Sequence, residues 1–258
     1  MTGTSSSVWS CRGICAGDSM WEGRLQEAEQ ECRRACDLNP NYALAHHWLA
    51  LILENQGRID LALAETDRAL SLDPLSAPAA IGRMRLLSAF KRFDEALVEF
   101  LQVQALRPDL ELIASAGAML QLAVGRTAEA LATARAVCAR PMFSLQWFAD
   151  ADLIYVLRAT GNLAEAEAHA SRVLAALPPD NYIRGVILGA LDRWEEALPF
   201  LEKLTCFVRT RIYWHPVFDS FRDDPRFRQL LVKLGCAGEY EVARATLQRL
   251  LLESGGKP

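Results

Sequence analysis

The sequence of 258 residues contains no apolar run near the ~18–20 residues that a helix needs to cross a bilayer. Its most apolar stretch, residues 48–53, ends at Glu54. Residues 1–20 are mostly small and polar, and they lack the continuous hydrophobic segment of a secretory signal. We therefore expect a cytoplasmic protein that does not associate with membranes.

A surplus of basic charge is also missing. The formal net charge is −4, and no stripe of lysine and arginine runs along the chain. Late in the sequence five arginines are interrupted by three aspartates: Arg209, Arg211, Arg222, Arg226 and Arg228, with Asp219, Asp223 and Asp224. Proteins that bind nucleic acids neutralise phosphates with a basic stripe, so we expect no nucleic-acid binding by this chain alone.

Catalytic motifs are missing as well. The sequence contains no nucleophile elbow, no phosphate-binding glycine loop and no HExxH zinc-protease helix. The adjacent acids at 195–196 and 223–224 lie near predicted helix starts, where capping and the helix dipole explain them. We expect a non-catalytic protein without a cofactor.

The cysteine pattern leaves one alternative open. The seven cysteines include two i, i+4 pairs, Cys11/Cys15 and Cys32/Cys36. Four thiols in this arrangement could bind zinc, because i, i+4 ligands share one helix face, and the spacing also resembles the twin-cysteine motif of small intermembrane-space chaperones. Such a protein would be metal- or redox-responsive. Against this, Cys32 falls on a face predicted to be buried, where cysteine acts as a small hydrophobe, so we expect inert thiols.

The four histidines do not predict a metal site. His46 and His47 are adjacent, so their side chains point about 100° apart on a helix and cannot bind one metal together. His169 and His215 are isolated in sequence, with no second ligand at a useful spacing. We expect no metal bound by these residues.

A repeat with a period of about 34 residues is the strongest positive signal. Pro40, Pro74 and Pro108 are equally spaced at this period, and each is preceded at one constant interval by an alanine, at positions 28, 62 and 96. A fixed period indicates an array of one small unit rather than a single globular core. With many alanines and leucines and few β-branched runs, the chain is predicted to be all-α.

Each unit is predicted to be a helical hairpin that turns at Gly57 in the second repeat and at Lys91 in the third. Asp60 and Asp94 follow these turns, where the dipole of the second helix favours negative charge. The fourth repeat is predicted from about Glu111, the fifth from near residue 147, and the sixth with a short first helix. In the first repeat only the second helix, residues 24–38, is predicted.

On these residues the chain resembles the tetratricopeptide repeat family over roughly residues 20–205. The resemblance depends on small, turn and closing residues: Ala28, Ala62, Ala96, Ala130, Ala166 and Ala197; Gly57, Gly125 and Gly161; and Pro40, Pro74, Pro108 and Pro178. It implies a right-handed α-solenoid of about five to six hairpins. Residues 1–19 are then an irregular extension, 206–235 a capping segment, and 236–258 a C-terminal helix and tail.

A narrower resemblance concerns two segments. Residues 39–48, NPNYALAHHW, and residues 215–227, HPVFDSFRDDPRF, are similar to segments of the C-terminal repeat arrays of bacterial signalling proteins. In those proteins the array follows a winged-helix, adenylyl cyclase or serine/threonine kinase domain. The resemblance implies a regulatory or signalling module, although no such effector domain occurs within these 258 residues.

The family resemblance also implies a concave groove lined by first helices. The implied groove residues are Leu44, His47, Leu51, Glu54 and Asn55; Ile81, Arg85 and Ser88; Ser115, Met119 and Leu122; and Phe148, Tyr155 and Arg158. This mostly apolar lining with two arginines suits an amphipathic helix or extended peptide that carries a carboxylate. The expected partner is therefore a protein or peptide.

The end of the chain is predicted to cover the last repeat. Phe218, Phe221 and Phe227 are placed to shield its apolar side, and Asp224 and Pro225 cap the helix that follows. Tryptophans such as Trp194 and Trp214 are expected to pack rather than to stack on a ligand. Residues 239–253 form an amphipathic helix with Val242, Ala245, Leu247, Leu250 and Leu251 apolar. This helix could cap the array, occupy the groove or mediate self-association.

Overall fold

The computed structural model describes residues 24–106, 111–139, 146–204 and 214–253. These residues form α-helices and one 3₁₀ segment, Pro216–Phe221. The helices are α1 Leu25–Leu38, α2 Ala43–Asn55, α3 Ile59–Leu72, α4 Ala77–Ala89, α5 Phe93–Leu106, α6 Glu111–Ala123, α7 Thr127–Cys138, α8 Gln146–Ala159, α9 Leu163–Ala176, α10 Ile183–Ala190, α11 Trp194–Leu201, α12 Pro225–Lys233 and α13 Ala237–Glu253. The predicted extension, residues 1–19, lies outside the described residues.

The chain divides into two compact units. Among the described residues, the first unit comprises 24–90 and 237–253, and the second comprises 91–106, 111–139, 146–204 and 214–236. In the first unit α2 packs on α1 and α3, and α4 packs on α3. In the second unit α6 packs on α5 and α7, α8 packs on α7, α9 and α10, and α11 packs on α10.

The turns inside the hairpins share one backbone conformation. Gly57, Gly125 and Gly161 have φ of 76°, 80° and 81°, and Lys91 and Asp192 adopt the same left-handed region at 56° and 66°. The next backbone N–H donates to the carbonyl five residues back, as from Arg58 to Leu53 at 2.9 Å, from Arg126 to Gln121 at 2.8 Å and from Asn162 to Leu157 at 2.8 Å. These bonds satisfy carbonyls that a helix end leaves open. The left-handed backbone at Gly57 and Lys91 agrees with the turns predicted at both residues.

The repeated alanines are almost completely buried. Six of them are at most 1% exposed: Ala28, Ala62, Ala96, Ala130, Ala166 and Ala197. A larger side chain at such a position would force two helices apart, at a typical cost of about 1–3 kcal/mol. The repeat pattern therefore predicted the packing positions of the array correctly.

The C-terminal helix α13 packs on α3 and on the α2–α3 turn within the first unit. The carbonyl oxygen of Glu239 lies where a Cβ on residue 57 would stand, and Arg249 pairs with Asp60 at 3.1 Å. The helix buries Tyr240, Ala243 and Leu247, whereas Val242 remains 49% exposed. The apolar stripe predicted for this helix is therefore only partly right.

The aromatic residues near the end of the second unit are buried together. Trp194 stacks on Phe221 with ring centroids 4.4 Å apart, and Phe227 meets Phe221 edge-on at 5.7 Å. Phe218 is 3% exposed. The Asp224 carboxylate accepts a hydrogen bond from the Arg226 backbone N–H at 2.9 Å and so begins α12 as the sequence predicts.

Within the described ranges, none of the helices combines the length and the hydropathy required to cross a bilayer.

Candidate functional site: the face of the first helices

The residues predicted to line a groove lie on α2 and α4 in the first unit and on α6 and α8 in the second. In the first unit Leu44 is exposed, Asn55 is buried, and His47, Leu51, Ile81, Arg85 and Ser88 are half-buried. In the second unit Met119 and Phe148 are buried, and Leu122, Tyr155 and Arg158 are half-buried. The side chain of Ser115 lies outside the described part of the structure. We call the residues on α2 and α4 the first-helix face.

An ion pair between α2 and α4 is the main polar feature of this face. The Arg85 Nε donates to Glu54 Oε1 at 2.7 Å, and a second guanidinium nitrogen donates to Oε2. The Glu54 side chain is only 2% exposed, against 26% for Arg85. Burial alone would lower the pKa of Arg85, but the charge of Glu54 and its hydrogen bonds outweigh it, so the pKa is raised. The Arg85 charge is therefore neutralised inside the molecule.

His47 adds a neutral ring to the same face. Burial lowers its pKa to about 4, and the positive charge of Arg85 acts in the same direction. Its ring centroid lies 5.7 Å from that of Trp48. At neutral pH His47 is uncharged, and it contributes aromatic surface rather than positive charge.

The short polar residues of the face are occupied by their own helices. The Asn55 amide donates to the Leu51 carbonyl at 2.8 Å, and the Ser88 hydroxyl donates to the Met84 carbonyl at 2.7 Å. Neither group needs a ligand to satisfy its hydrogen bonding. What this surface offers is therefore mainly apolar, through Leu44, Leu51 and Ile81.

In the second unit Arg158 also has internal partners. Its Nε donates to the Ala190 carbonyl at 3.1 Å, and another guanidinium nitrogen lies 3.4 Å from Asp192 Oδ2. The guanidinium carbon lies 5.9 Å from the centre of the Tyr155 ring. Both arginines that the sequence suggested for a partner's carboxylate are thus bonded to acidic residues of this chain.

The histidines have partners that the sequence analysis missed. His169 Nε2 lies 2.8 Å from Asp150 Oδ1, and His215 Nε2 lies 3.1 Å from Asp152 Oδ1. The sequence analysis did not predict these two carboxylate partners, because they come from another element of the fold. A spacing of 19 residues, shared by the pairs His46–Glu65 and Asp150–His169, was the available signal.

The described cysteines give no support to the four-cysteine alternative. Cys32 is 1% exposed, and burial raises its pKa to about 12. Burial also raises the pKa of Cys36 to about 11. Both thiols are therefore protonated at neutral pH. Cys11 and Cys15 lie outside the described residues.

Comparisons with known proteins agree with this architecture. A tetratricopeptide repeat family model matches residues 31–64. Anaphase-promoting complex subunit 3 of Schizosaccharomyces pombe is 33% identical over 87 residues, which are 34% of this chain. The chain spans only 13% of the length of that relative.

Solved structures extend the likeness over most of the chain. A tetratricopeptide repeat protein from Parabacteroides merdae is 16% identical, with a TM-score of 0.63 over 90% of this chain and 86% of its own. PilW, a widely conserved type IV pilus biogenesis factor, is 17% identical, with a TM-score of 0.61 over 84% of this chain and 99% of its own. The predicted fold class, an all-α solenoid of helical hairpins, is confirmed, and these matches support the tetratricopeptide repeat family.

Proposed function

We propose that this protein is a non-catalytic scaffold that binds a peptide or a partner helix on its first-helix face. Tetratricopeptide repeat proteins generally mediate protein–protein interactions, and their fold is typically non-enzymatic. The observation that carries the proposal is the composition of the face. Leu44, Leu51 and Ile81 are apolar and at least partly accessible, and the same two helices carry the ion pair of Glu54 and Arg85, which has no net charge.

The chemistry of this face favours an apolar ligand. Because Arg85 is held by Glu54, a carboxylate on a partner would have to compete with a buried internal carboxylate. Aliphatic side chains at i, i+3 and i+4 of an amphipathic helix meet no such competition. We therefore expect the partner's leucine-like anchors, rather than an acidic terminus, to provide most of the affinity.

A regulatory or signalling role in the cytoplasm follows from the resemblance of residues 39–48 and 215–227 to the arrays of bacterial regulators. Among the described residues, Cys32, Cys36, Cys138 and Cys236 form no disulfide.

Two leucines of matched exposure test the proposal. Leu44 lies on the first-helix face and is 46% exposed, whereas Leu61 lies on the second helix α3 and is 43% exposed. Peptides would be selected against the immobilised chain from a random displayed library, and dissociation constants measured by fluorescence anisotropy. We expect Leu44→Glu to weaken the selected peptides at least about tenfold, which is about 1.4 kcal/mol, and Leu61→Glu to leave them unchanged.

The control for both substitutions is the thermal unfolding curve, which an exposed site should leave nearly unchanged. Equal weakening by the two variants, or a larger loss from Leu61→Glu, would refute the first-helix face as the binding surface.

A further inference from the structure

Three potential metal ligands converge at one point of the second unit. Cys138 ends α7, Asp150 lies near the start of α8, and His169 lies in the middle of α9. The Cys138 Sγ lies 3.1 Å from Asp150 Oδ1 and 3.6 Å from His169 Nε2, and the latter two atoms are 2.8 Å apart. Three consecutive helices therefore each contribute one ligand atom to the same small volume.

These distances are close to those of a zinc site. With Zn–S near about 2.3 Å and Zn–N and Zn–O near about 2.0–2.2 Å, tetrahedral ligands stand about 3.4–3.6 Å from one another. The sulfur–nitrogen distance already matches at 3.6 Å. The two distances to Asp150, 3.1 and 2.8 Å, need to lengthen by roughly half an ångström, which a small carboxylate rotation provides. A thiolate, an imidazole and a carboxylate together suit Zn²⁺ better than Mg²⁺ or Ca²⁺.

The site is sheltered but accessible. The His169 and Asp150 side chains are 14% and 12% exposed, and Cys138 is half-buried beside Val137 and Ala149. Hydrophobic neighbours of this kind exclude most water from the ligands, and the remaining exposure of the side chains leaves them accessible to an ion.

Nucleophilic catalysis by Cys138 fits the geometry poorly. An activated thiol needs an imidazole that is oriented by an acid on its other nitrogen, but here Asp150 and Cys138 contact the same atom, His169 Nε2. Burial, followed by the hydrogen bond to Asp150, also raises the pKa of the Cys138 thiol. In the metal-free protein the thiol is protonated and its S–H donates to the carboxylate.

A related set of side chains occurs three repeats earlier. Cys36 precedes Cys138 by three repeat periods, and His46 and Glu65 precede Asp150 and His169 by nearly the same distance, so imidazole and carboxylate have exchanged places. His46 Nδ1 lies 2.7 Å from Glu65 Oε2 and 3.8 Å from the Cys36 Sγ.

In only one of these two sets do all three ligand atoms lie close to one another. Among the described residues, the set of Cys138, Asp150 and His169 is the only one of three or more His, Cys, Asp or Glu side chains whose ligand atoms all lie within 4.8 Å of one another. Cys36 therefore offers a control of the same chemistry at a repeat-equivalent position.

The geometry points to a Zn²⁺-binding site formed by Cys138, Asp150 and His169, with a fourth position open to water. Binding replaces the thiol proton by the metal, and that proton is released to the solvent. The imidazole loses its Nε2 proton to the solvent and takes one up at Nδ1, so that Nε2 becomes a ligand. The ion then links α7, α8 and α9 and holds two neighbouring repeats together.

Co²⁺ is a direct probe, because a cobalt–thiolate bond gives a charge-transfer absorption band. The band disappears when Zn²⁺ replaces the Co²⁺ ion. The full chain would be reduced, stripped of metal and titrated with Co²⁺, in a background where Cys11 and Cys15 are replaced by serine. We expect one Co²⁺ per chain, a loss of the band in Cys138→Ser, and an unchanged band in Cys36→Ser. A band that survives Cys138→Ser, or no band with excess Co²⁺, would overturn the proposal.

One shape-preserving variant and a folding measurement separate loss of the site from misfolding. Asp150→Asn preserves shape and should weaken Zn²⁺ binding by more than the roughly 10–100-fold that outer-shell changes cause. Unchanged affinity for Zn²⁺ in this variant would show that Asp150 is not a ligand. Circular dichroism and the thermal midpoint without metal should match those of the parent chain.

Arg172 tests which nitrogen binds the metal. Its guanidinium donates to His169 Nδ1 at 2.9 Å, but a metal on Nε2 requires an acceptor at Nδ1 instead. Arg172→Gln supplies a side-chain oxygen there, and we expect the dissociation constant for Zn²⁺ to fall several-fold. Unchanged or weaker binding would overturn the assignment of Nε2 as the ligand.

Discussion

The carbonyl oxygen of Glu239 occupies the place where a side chain at Gly57 would begin. Residue 57 also has φ of 76°, so two independent requirements select glycine at this turn. Gly125 has nearly the same backbone conformation, φ 80°, but an added Cβ there meets no atom within 4 Å. Substituting these two glycines therefore distinguishes the free-energy cost of the left-handed backbone from the cost of steric overlap with α13.

Gly57→Ala should therefore destabilise the protein more than Gly125→Ala. The left-handed backbone costs both variants about 1–2 kcal/mol, and steric overlap with Glu239 adds about 1–3 kcal/mol in the first. The free energy of unfolding of each variant is measured by urea denaturation, with circular dichroism as the signal. In a chain that lacks residues 239–258 the extra cost should vanish; if it persists, α13 does not pack on this turn.

Deleting residues 239–258 should also lower the melting temperature. The deletion removes the buried side chains Tyr240, Ala243 and Leu247, which pack within the first unit. Arg249→Ala is the mild control, because its pair with Asp60 is exposed and should be worth less than about 1 kcal/mol. Sedimentation run in parallel tests self-association: loss of a dimer at an unchanged melting temperature would contradict the packing role.

Glu54→Gln should destabilise the first unit by about 1–3 kcal/mol, since it leaves the partly buried Arg85 without its counter-charge. Replacing both residues together, by leucine and methionine, should recover most of that loss. The matched control is Glu165→Gln: Glu165 also pairs with an arginine from another helix, Arg135, but both side chains are almost half exposed. Its cost should stay below about 1 kcal/mol, and equal costs at the two sites would contradict the burial argument.

Acid should weaken the fold through His47. Its pKa is about 4 in the folded protein and near 6.5 when unfolded, so the unfolded chain binds the extra proton between these values. Stability is therefore lost as the pH falls from 6.5 towards 4, by roughly 2 kcal/mol at pH 5 from this residue. His47→Gln should reduce the difference in unfolding free energy between pH 7.5 and pH 5. An identical pH dependence in this variant would show that His47 does not titrate as described.

Local features of the fold could be predicted because the same residue types recur at the same position of each repeat. A small residue at the crossing point, a left-handed turn residue and a closing proline recur from one repeat to the next, and each acts within one hairpin. This is why the turn at Lys91, where no glycine marks it, was found by its position in the repeat alone. The buried aromatic group around Phe221 was likewise visible, because three phenylalanines crowd a short polar segment.

Contacts between distant residues were not predictable in the same way. Glu54 and Arg85 come from different repeats, and nothing in either helix shows that the glutamate is buried. The pairing of Arg249 with Asp60 joins residues 189 positions apart, and amphipathicity alone left three destinations for α13. For the contact of His169 with Asp150 the sequence held a single signal, the spacing of 19 residues that His46 and Glu65 share.

The NMR methyl resonances of the first-helix face give the sharpest test of whether a peptide binds there. Leucine and isoleucine methyl groups would be labelled in the full chain, and their NMR shifts followed while a selected peptide is added. We expect the largest shifts at Leu44, Leu51 and Ile81, and no shift at Leu61 on α3. Shifts concentrated at Leu61, with the methyl groups of α2 and α4 unchanged, would contradict it.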